Sequence, residues 1–468
     1  MSNKPNIVFV FSDQHRFCDM SCAGNPDVQT PHMDALAAEG AYYPAAYSTC
    51  PLCVPARGSL LTGVHALKHG AAANDLPIKN KMESIADVLN EAGYDTAYIG
   101  KWHLAGVPRD AFIPEEGRLG FKYWRVSNCN HGYLDGYYDD NDNIRHKIPG
   151  YAPMGETELA MEFIREHNTG ECPFAVFLSF GTPHDPYDAL PEGDMEQSLA
   201  AGFTYRRNWQ PNLIPGETAF GGYHPDRMYA GYYAHIRRID EQLGRLQTQL
   251  KEMGIYDNTI FVYTSDHGDM LGSHGFLNKQ IYFDESARIP FIISWPGHIV
   301  PGRRVAPISS IDMAPSLAGL AGLRFQSRID GRDMSANMLD ATAIGQPDVY
   351  FYSYVPCHQA ICRSIPSWRA VSDGKRTLVA DQTGAIVAFY DMIRDPYQMN
   401  DEKDNPDYRT QILTLKTRLD NYVEENDGYV PWEQLLEKAG LAGEWERSEA
   451  YFAEMFSKLS RSYENDIG

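Results

Sequence analysis

The sequence predicts an α/β protein: a large, mainly parallel sheet sandwiched by helices, followed by a smaller C-terminal subdomain of antiparallel sheet plus helix. Continuous apolar runs such as Asn6 to Phe11 read as strands buried on both faces of a parallel sheet. They alternate with helical periodicity, clearest at Ile236, Ile239, Leu243, Leu246 and Leu250. At 468 residues the chain also exceeds what one core usually serves, and its texture changes near Val349. The expected division is residues 1–345 for the α/β domain and 346–468 for the α+β subdomain.

In chain order, the first strand ends at Ser12-Asp13-Gln14, which puts Asp13 just past a carboxyl end, the edge where open α/β sheets bind ligands. Thr30-Pro31 opens a helix as cap and first residue, and Gly40 closes it. Pro55 opens the next helix, and another runs from Ser84 to Ala92, stopped by Gly93. Strands Asp95 to Gly100, Phe174 to Phe180, Asn258 to Ser265 and Ile289 to Trp295 follow; the first three deliver Lys101-Trp102-His103, His184 and Asp266-His267-Gly268-Asp269 to the same edge. The helix around Ile236 is read as core packing alone. Short runs at Ala370 to Ser372, Thr377 to Ala380 and Ala385 to Tyr390, then a polar helix from about Tyr408, make up the C-terminal sheet and helix.

The hydrophobic content of 43% is that of an ordinary globular protein, and no apolar run is long enough for a membrane span. The net charge of −21 argues against a nucleic-acid partner and repels anions at long range, so any anion site must be built locally from Arg, Lys and metal. Eight scattered cysteines do not suggest a disulfide framework. The first residues carry no signal-peptide pattern, so a cytoplasmic chain is expected, or a periplasmic one if a signal had been removed.

The segment Cys50 to Gly63 concentrates the chemistry. It contains Cys53-x-Pro55-x-Arg57 at a helix start, where backbone N–H groups and the positive dipole end face whatever reacts there: an anion site holding a nucleophile. Asp13, Gln14 and Asp266 offer oxygens that suit calcium, and His267 adds nitrogen, which also admits manganese. Lys101, His103, His184 and Lys279 reach the same edge.

Ser12-Asp13-Gln14, Cys53 to Gly63, Gly100 to Leu104, Pro183 to Tyr187, and Asp266-His267-Gly268 followed by Lys279 resemble, in the family's order, the type I sulfatases of the alkaline phosphatase superfamily. Tyr390-Asp391 and Asp395-Pro396 extend the resemblance into the C-terminal part. Many sulfatases carry a second Asp where this chain has Gln14 and Asn where it has His267, a His shared with phosphonate monoester hydrolases. The resemblance implies an alkaline phosphatase-like fold and a divalent metal held by Asp13, Gln14, Cys53, Asp266 and His267. It also implies that Cys53 is oxidised to formylglycine by a formylglycine-generating or anaerobic sulfatase-maturing enzyme. One hydroxyl of the hydrated aldehyde would attack sulfur while the alcohol leaves. Arg57, Lys101 and Lys279 would hold the sulfate oxygens, and His184, with Lys279, would protonate the leaving oxygen. His103 would deprotonate the second hydroxyl, expelling sulfate.

The expected substrate is a small-molecule or oligosaccharide sulfate ester. Phe121, Tyr123, Trp124, Tyr133, Tyr137 and Tyr138, followed by Asp139, Asp140 and Asp142, could stack on a sugar and bind its hydroxyls. The alternatives are a phosphonate or phosphate ester hydrolase on the same fold, and a non-catalytic glycan binder, which would have no need of Cys53. The sequence does not set the oligomeric state.

Overall fold

The computed structural model describes residues 4–79, 81–170, 172–211, 224–356, 359–362 and 364–466. A ten-stranded sheet runs in the order Gly302–Arg303, Ala41–Tyr42, Phe291–Ser294, Thr259–Ser265, Asn6–Asp13, Phe174–Pro183, Asp95–Lys101, Tyr123–Ser127, Tyr137–Asp139 and Arg145–Lys147. Its centre is parallel: Asn6–Asp13 lies between Phe174–Pro183 and Thr259–Ser265, with Val8 opposite Val176 and Phe261. All three strands are buried along their length, which is why they read as unbroken apolar runs. Phe291–Ser294 adds antiparallel to Thr259–Ser265.

The two faces of the sheet pack into separate cores. Ile7, Phe9 and Phe11 point to one face, which holds Leu60, Leu61, Ile85 and Leu89; Val8 and Val10 point to the other, with Ile236, Ile239, Leu243, Leu246 and Leu250. A separate four-stranded antiparallel sheet, Val349–Ser353, Trp368–Ser372, Arg376–Asp381 and Ile386–Asp391, packs against the helix Arg409–Asn426 through Val371, Leu378, Leu415 and Leu419. Among the described residues no helix is long and apolar enough to cross a membrane.

Three local expectations are corrected. The catalytic-edge helix spans Cys53–Thr62 with Leu52 as its cap, so Cys53 is its first residue and Pro55 its third; the first turn's N–H groups have no partner within a helix, so Pro is tolerated there too. Thr30 precedes the helix Pro31–Glu39 but does not cap it with its side chain, because its hydroxyl accepts from Ser21 N at 2.9 Å. Asp240 caps instead, accepting from Met33 N at 2.8 Å and His32 N at 3.1 Å. The helix Pro225–Glu252 is more than core packing, since Tyr232 Oη donates to the Gln14 carbonyl at 2.7 Å and accepts from Arg16 N at 2.9 Å.

Candidate active site

Strand ends and one helix start build the site. Asp13 closes the Asn6–Asp13 strand, Lys101 closes Asp95–Lys101, and Asp266 and His267 follow Thr259–Ser265. Gly100 makes the approach of Lys101 possible: its φ is +98°, and a Cβ there would lie 2.1 Å from the Ser179 carbonyl oxygen. Gln14, Asp75, His103 and Asn278 also adopt positive φ, a conformation that favours glycine.

One side-chain atom each from Asp13, Cys53, Asp266 and His267 lies within 4.8 Å of the others, and all four residues are buried. Cys53 Sγ is 3.1 Å from His267 Nε2 and 3.6 Å from Asp13 Oδ1. His267 Nδ1 donates to the Gly268 carbonyl at 2.9 Å, which leaves the Nε2 lone pair facing Asp13 and Asp266, the tautomer a metal ligand needs. Burial and the neighbouring Asp13 push the Asp266 carboxyl up. Asp13 is held well below the usual carboxylate range, because Lys101, His184, Arg57 and His267 outweigh its burial. Two carboxylates, an imidazole nitrogen and the position-53 side chain, with one carboxylate destabilised by the other, fit a divalent cation.

Arg57 does not face outward to hold an anion as expected. It is fully buried, and its Nε donates to Asp266 Oδ2 at 3.0 Å and one terminal nitrogen to Asp13 Oδ2 at 3.1 Å. The other terminal nitrogen donates to the Lys101 carbonyl at 2.9 Å and Ser179 Oγ at 2.7 Å. The guanidinium therefore spans the two carboxylates from behind. Lys101 Nζ is 2.6 Å from Asp13 Oδ2 and 3.3 Å from His131 Nε2. Burial and Asp13 push the Cys53 thiol up, but Lys279, His267 and Lys101 outweigh them and hold it well below its ordinary value.

Gln14 N donates to Asp266 Oδ1 at 3.0 Å, and its side chain takes Lys279 on one side and Asp269 on the other. His184 Nδ1 donates to the Asp185 carbonyl at 2.8 Å, which leaves Nε2 for a leaving group; its ring stacks on His131 with centroids 4.6 Å apart.

Asp75, Arg109, Cys129 and His131 are the additions sequence reasoning missed. Arg109 holds Asp75 bidentately at 2.8 Å through each nitrogen, and Asp75 Oδ1 lies 3.6 Å from His103 Nε2. Burial disfavours the charged His103 ring, yet Cys129, Asp75 and Cys53 together push its pKa up to about 10. The ring is thus built to hold a proton. Nothing in the spacing marks Asp75, which sits in a loop after a one-turn helix; Cys129 and His131 lie inside the segment read as a sugar platform.

That platform is not present as expected. Phe121, Trp124 and Tyr133 are buried, with Tyr98 and Trp102 edge-on to Phe121. Arg125 covers Tyr123, Arg145 covers Tyr137, and His146 stacks on Tyr138. Asp139 pairs with Arg145 and Asp140 with His146. Most of these groups spend a face or a charge on a neighbour, while Asp142 stays exposed.

Comparison with known proteins bears on the whole chain. The Sulfatase family model matches residues 5–323, and the model for the C-terminal part of N-sulphoglucosamine sulphohydrolase matches 272–425. An ulvan-active sulfatase of Formosa agariphila is 34% identical over 90% of this chain and 81% of its own. An N-acetylglucosamine-6-O-sulfatase of Bacteroides thetaiotaomicron is 27% identical over 91% of this chain and 88% of its own. The crystal structure of a putative sulfatase from Bacteroides fragilis superposes with a TM-score of 0.80 at 27% identity, covering 93% of this chain and 98% of that one.

Proposed function

The chain belongs to the sulfatase family of sulfuric ester hydrolases, and from that premise we propose that it removes sulfate from a sugar or glycan, with Cys53 matured to formylglycine as its nucleophile. The relatives named for ulvan and N-acetylglucosamine support the glycan substrate. The observation that carries the mechanism is Cys53 on the first turn of a helix, inside the Asp13–Asp266–His267 cluster.

Asp13, Asp266 and His267, with Gln14 and position 53, would hold a divalent ion, calcium before manganese because the set is rich in oxygen. Such an ion supplies Lewis acidity to the nucleophile and offsets charge on the sulfate. The work of the chain's own residues follows from where they stand. Arg57 fixes both carboxylates, and Lys101 and Lys279 supply donors at the sulfate oxygens. His184, its Nδ1 tied to the Asp185 carbonyl, presents Nε2 at the leaving oxygen; burial and the charges of Lys279 and His131 hold its pKa well below the ordinary value, so the proton it would give the alcohol is one it gains when the anionic ester binds. Once Cys53 is formylglycine the ring loses one of the thiols that push it up, and His103 in its neutral form would take the proton of the second hydroxyl of the hydrated aldehyde, with Asp75 behind it stabilising the imidazolium that forms. That proton transfer breaks the carbon–oxygen bond to sulfate and restores the aldehyde.

Cys53→Ser tests this reading. Its single hydroxyl can attack sulfur, but its carbon has no second hydroxyl to expel the product. Intact-mass measurement should show one added sulfonate at position 53, with alcohol released in at most stoichiometric amount. Sustained turnover by the serine variant would refute the formylglycine mechanism.

A further inference from the structure

Residue 14 is an amide, and the groups around it give that amide one orientation. Asp269 Oδ2 accepts from Gln14 Nε2 at 2.6 Å, and Asn278 Oδ1 lies 3.5 Å away on the same side. On the other side the Lys279 ammonium donates to Gln14 Oε1. A carboxylate can only accept and an ammonium can only donate, so the amide nitrogen must face Asp269 and the oxygen Lys279. Lys279 is itself close enough to act electrostatically on Cys53 and His267.

Asp269 is in turn fixed from outside. Tyr187 Oη donates to the same Oδ2 at 2.6 Å, and Leu271 N donates to Oδ1 at 3.0 Å, so both carboxylate oxygens are used as acceptors. Burial and the adjacent Asp269 hold the Tyr187 phenol well above its ordinary value, which keeps its proton available for donation. Asp269 and Gln14 are both fully buried. An unmatched donor or acceptor here would therefore be costly.

We propose that Asp269 is a positioning residue for the metal site: it locks the Gln14 side chain with its oxygen turned toward Lys279 and the Asp13–Cys53–Asp266–His267 cluster. A carboxylate at position 14 would face the carboxylate of Asp269 across this contact, so the residue after Asp266-His267-Gly268 and residue 14 form a matched pair of acceptor and donor. The inference rests on the metal reading above only for its consequence. The orientation itself is a property of the metal-free chain.

The test is a swap of the pair in the full-length protein. In Asp269→Asn one terminal atom becomes a donor, so either Leu271 N or the Gln14 amide faces another donor. In Gln14→Glu two carboxylates meet. In the double variant Gln14→Glu/Asp269→Asn, the new amide at position 269 donates to the new carboxylate at position 14 and its oxygen keeps Leu271 N, while the Tyr187 oxygen can accept from the amide's second hydrogen; the contact between positions 14 and 269 again pairs a donor with an acceptor. Calorimetric titration with Ca²⁺ and with Mn²⁺ should show each single variant binding about tenfold or more weakly, and the double variant recovering to within a few-fold of wild type. The melting temperatures of the three variants without metal should follow the same pattern, with the double variant above both singles. Losses that add in the double variant, or an Asp269→Asn protein that binds metal and melts like wild type, would overturn the proposal. If wild type bound neither ion, the metal reading would fail, while the metal-free melting cycle would still decide the orientation of Gln14.

Discussion

Arg57 is the residue whose replacement should show most directly how the site is held. Its guanidinium bridges Asp266 and Asp13 at 3.0 and 3.1 Å, and all three side chains are fully buried. Arg57→Ala leaves two buried carboxylates facing each other, with Lys101 on Asp13 and the His267 ring 3.7 Å from Asp13 and 3.6 Å from Asp266 as what remains. Breaking a buried pair on one side typically costs about 3–5 kcal/mol, because the stranded charge stays desolvated. In chelator, the urea unfolding free energy of Arg57→Ala should therefore fall by about that amount. Saturating Ca²⁺ or Mn²⁺ should return part of it, since binding at about 100 times Kd adds about 2.7 kcal/mol to the native state. Arg57→Lys separates this role from sulfate binding. A lysine keeps the charge but cannot reach Asp13, Asp266, Ser179 and the Lys101 carbonyl together, so kcat should drop by about a hundredfold with KM within a few-fold of wild type. A metal-free Arg57→Ala protein within about 0.5 kcal/mol of wild type, or an Arg57→Lys enzyme impaired in KM alone, would refute the argument.

Chelation should abolish turnover of an aryl sulfate, and Asp13→Ala or Asp266→Ala should each require far more added metal to restore it; hydrolysis at the untreated rate in excess chelator would refute the metal requirement. Matched aryl sulfate and phenyl phosphonate ester substrates should give the higher kcat/KM for sulfate despite His267; a clear excess for the phosphonate would move the assignment to the alternative hydrolase. Burial, outweighing the N–H bonds from Met33 and His32, raises Asp240 to about 7. Because that pKa lies above the unfolded value near 4, the stability from this carboxyl is present below about pH 4 and lost as pH rises through about 7. Asp240→Asn should therefore melt higher than wild type at pH 8 and gain nothing at pH 4; an equal shift at both would refute the burial argument.

The sheet and the arrival of polar groups at one edge were legible because they are local. An apolar run of seven or eight residues that stops at Asp13 or Asp266 reports both a buried strand and its end. Side-chain direction is not local. The same motif that places Arg57 one turn after Cys53 does not say that its fork turns back to Asp13 and Asp266, which arrive from two other strands. Asp75 was invisible for a similar reason, since its contact with Arg109 joins two loops. The aromatic segment was misread because composition gives the number of rings but not their partners. Only the fold brings Arg125 and Arg145 over Tyr123 and Tyr137.

The charges at the site explain why an acidic chain can still hold an anionic ester. Arg57 and Lys101 both lie against the cluster and are engaged by Asp13 and Asp266, so that set is close to neutral by itself. Lys279 donates to Gln14 Oε1, an oxygen with no formal charge. A carboxylate at position 14 would set a full negative charge against Lys279, as Asp13 does against Lys101, and less of the lysine's positive potential would reach the substrate. An amide adds no such charge, and Asp269 keeps that amide facing the right way. On the proposed reading Gln14, Asp269 and Lys279 would act on substrate charge as well as on the metal, and Gln14→Glu should weaken binding of inorganic sulfate as a competitive inhibitor even at saturating metal. An inhibition constant for sulfate equal to that of wild type, measured with metal in excess, would confine the role of residue 14 to the ion.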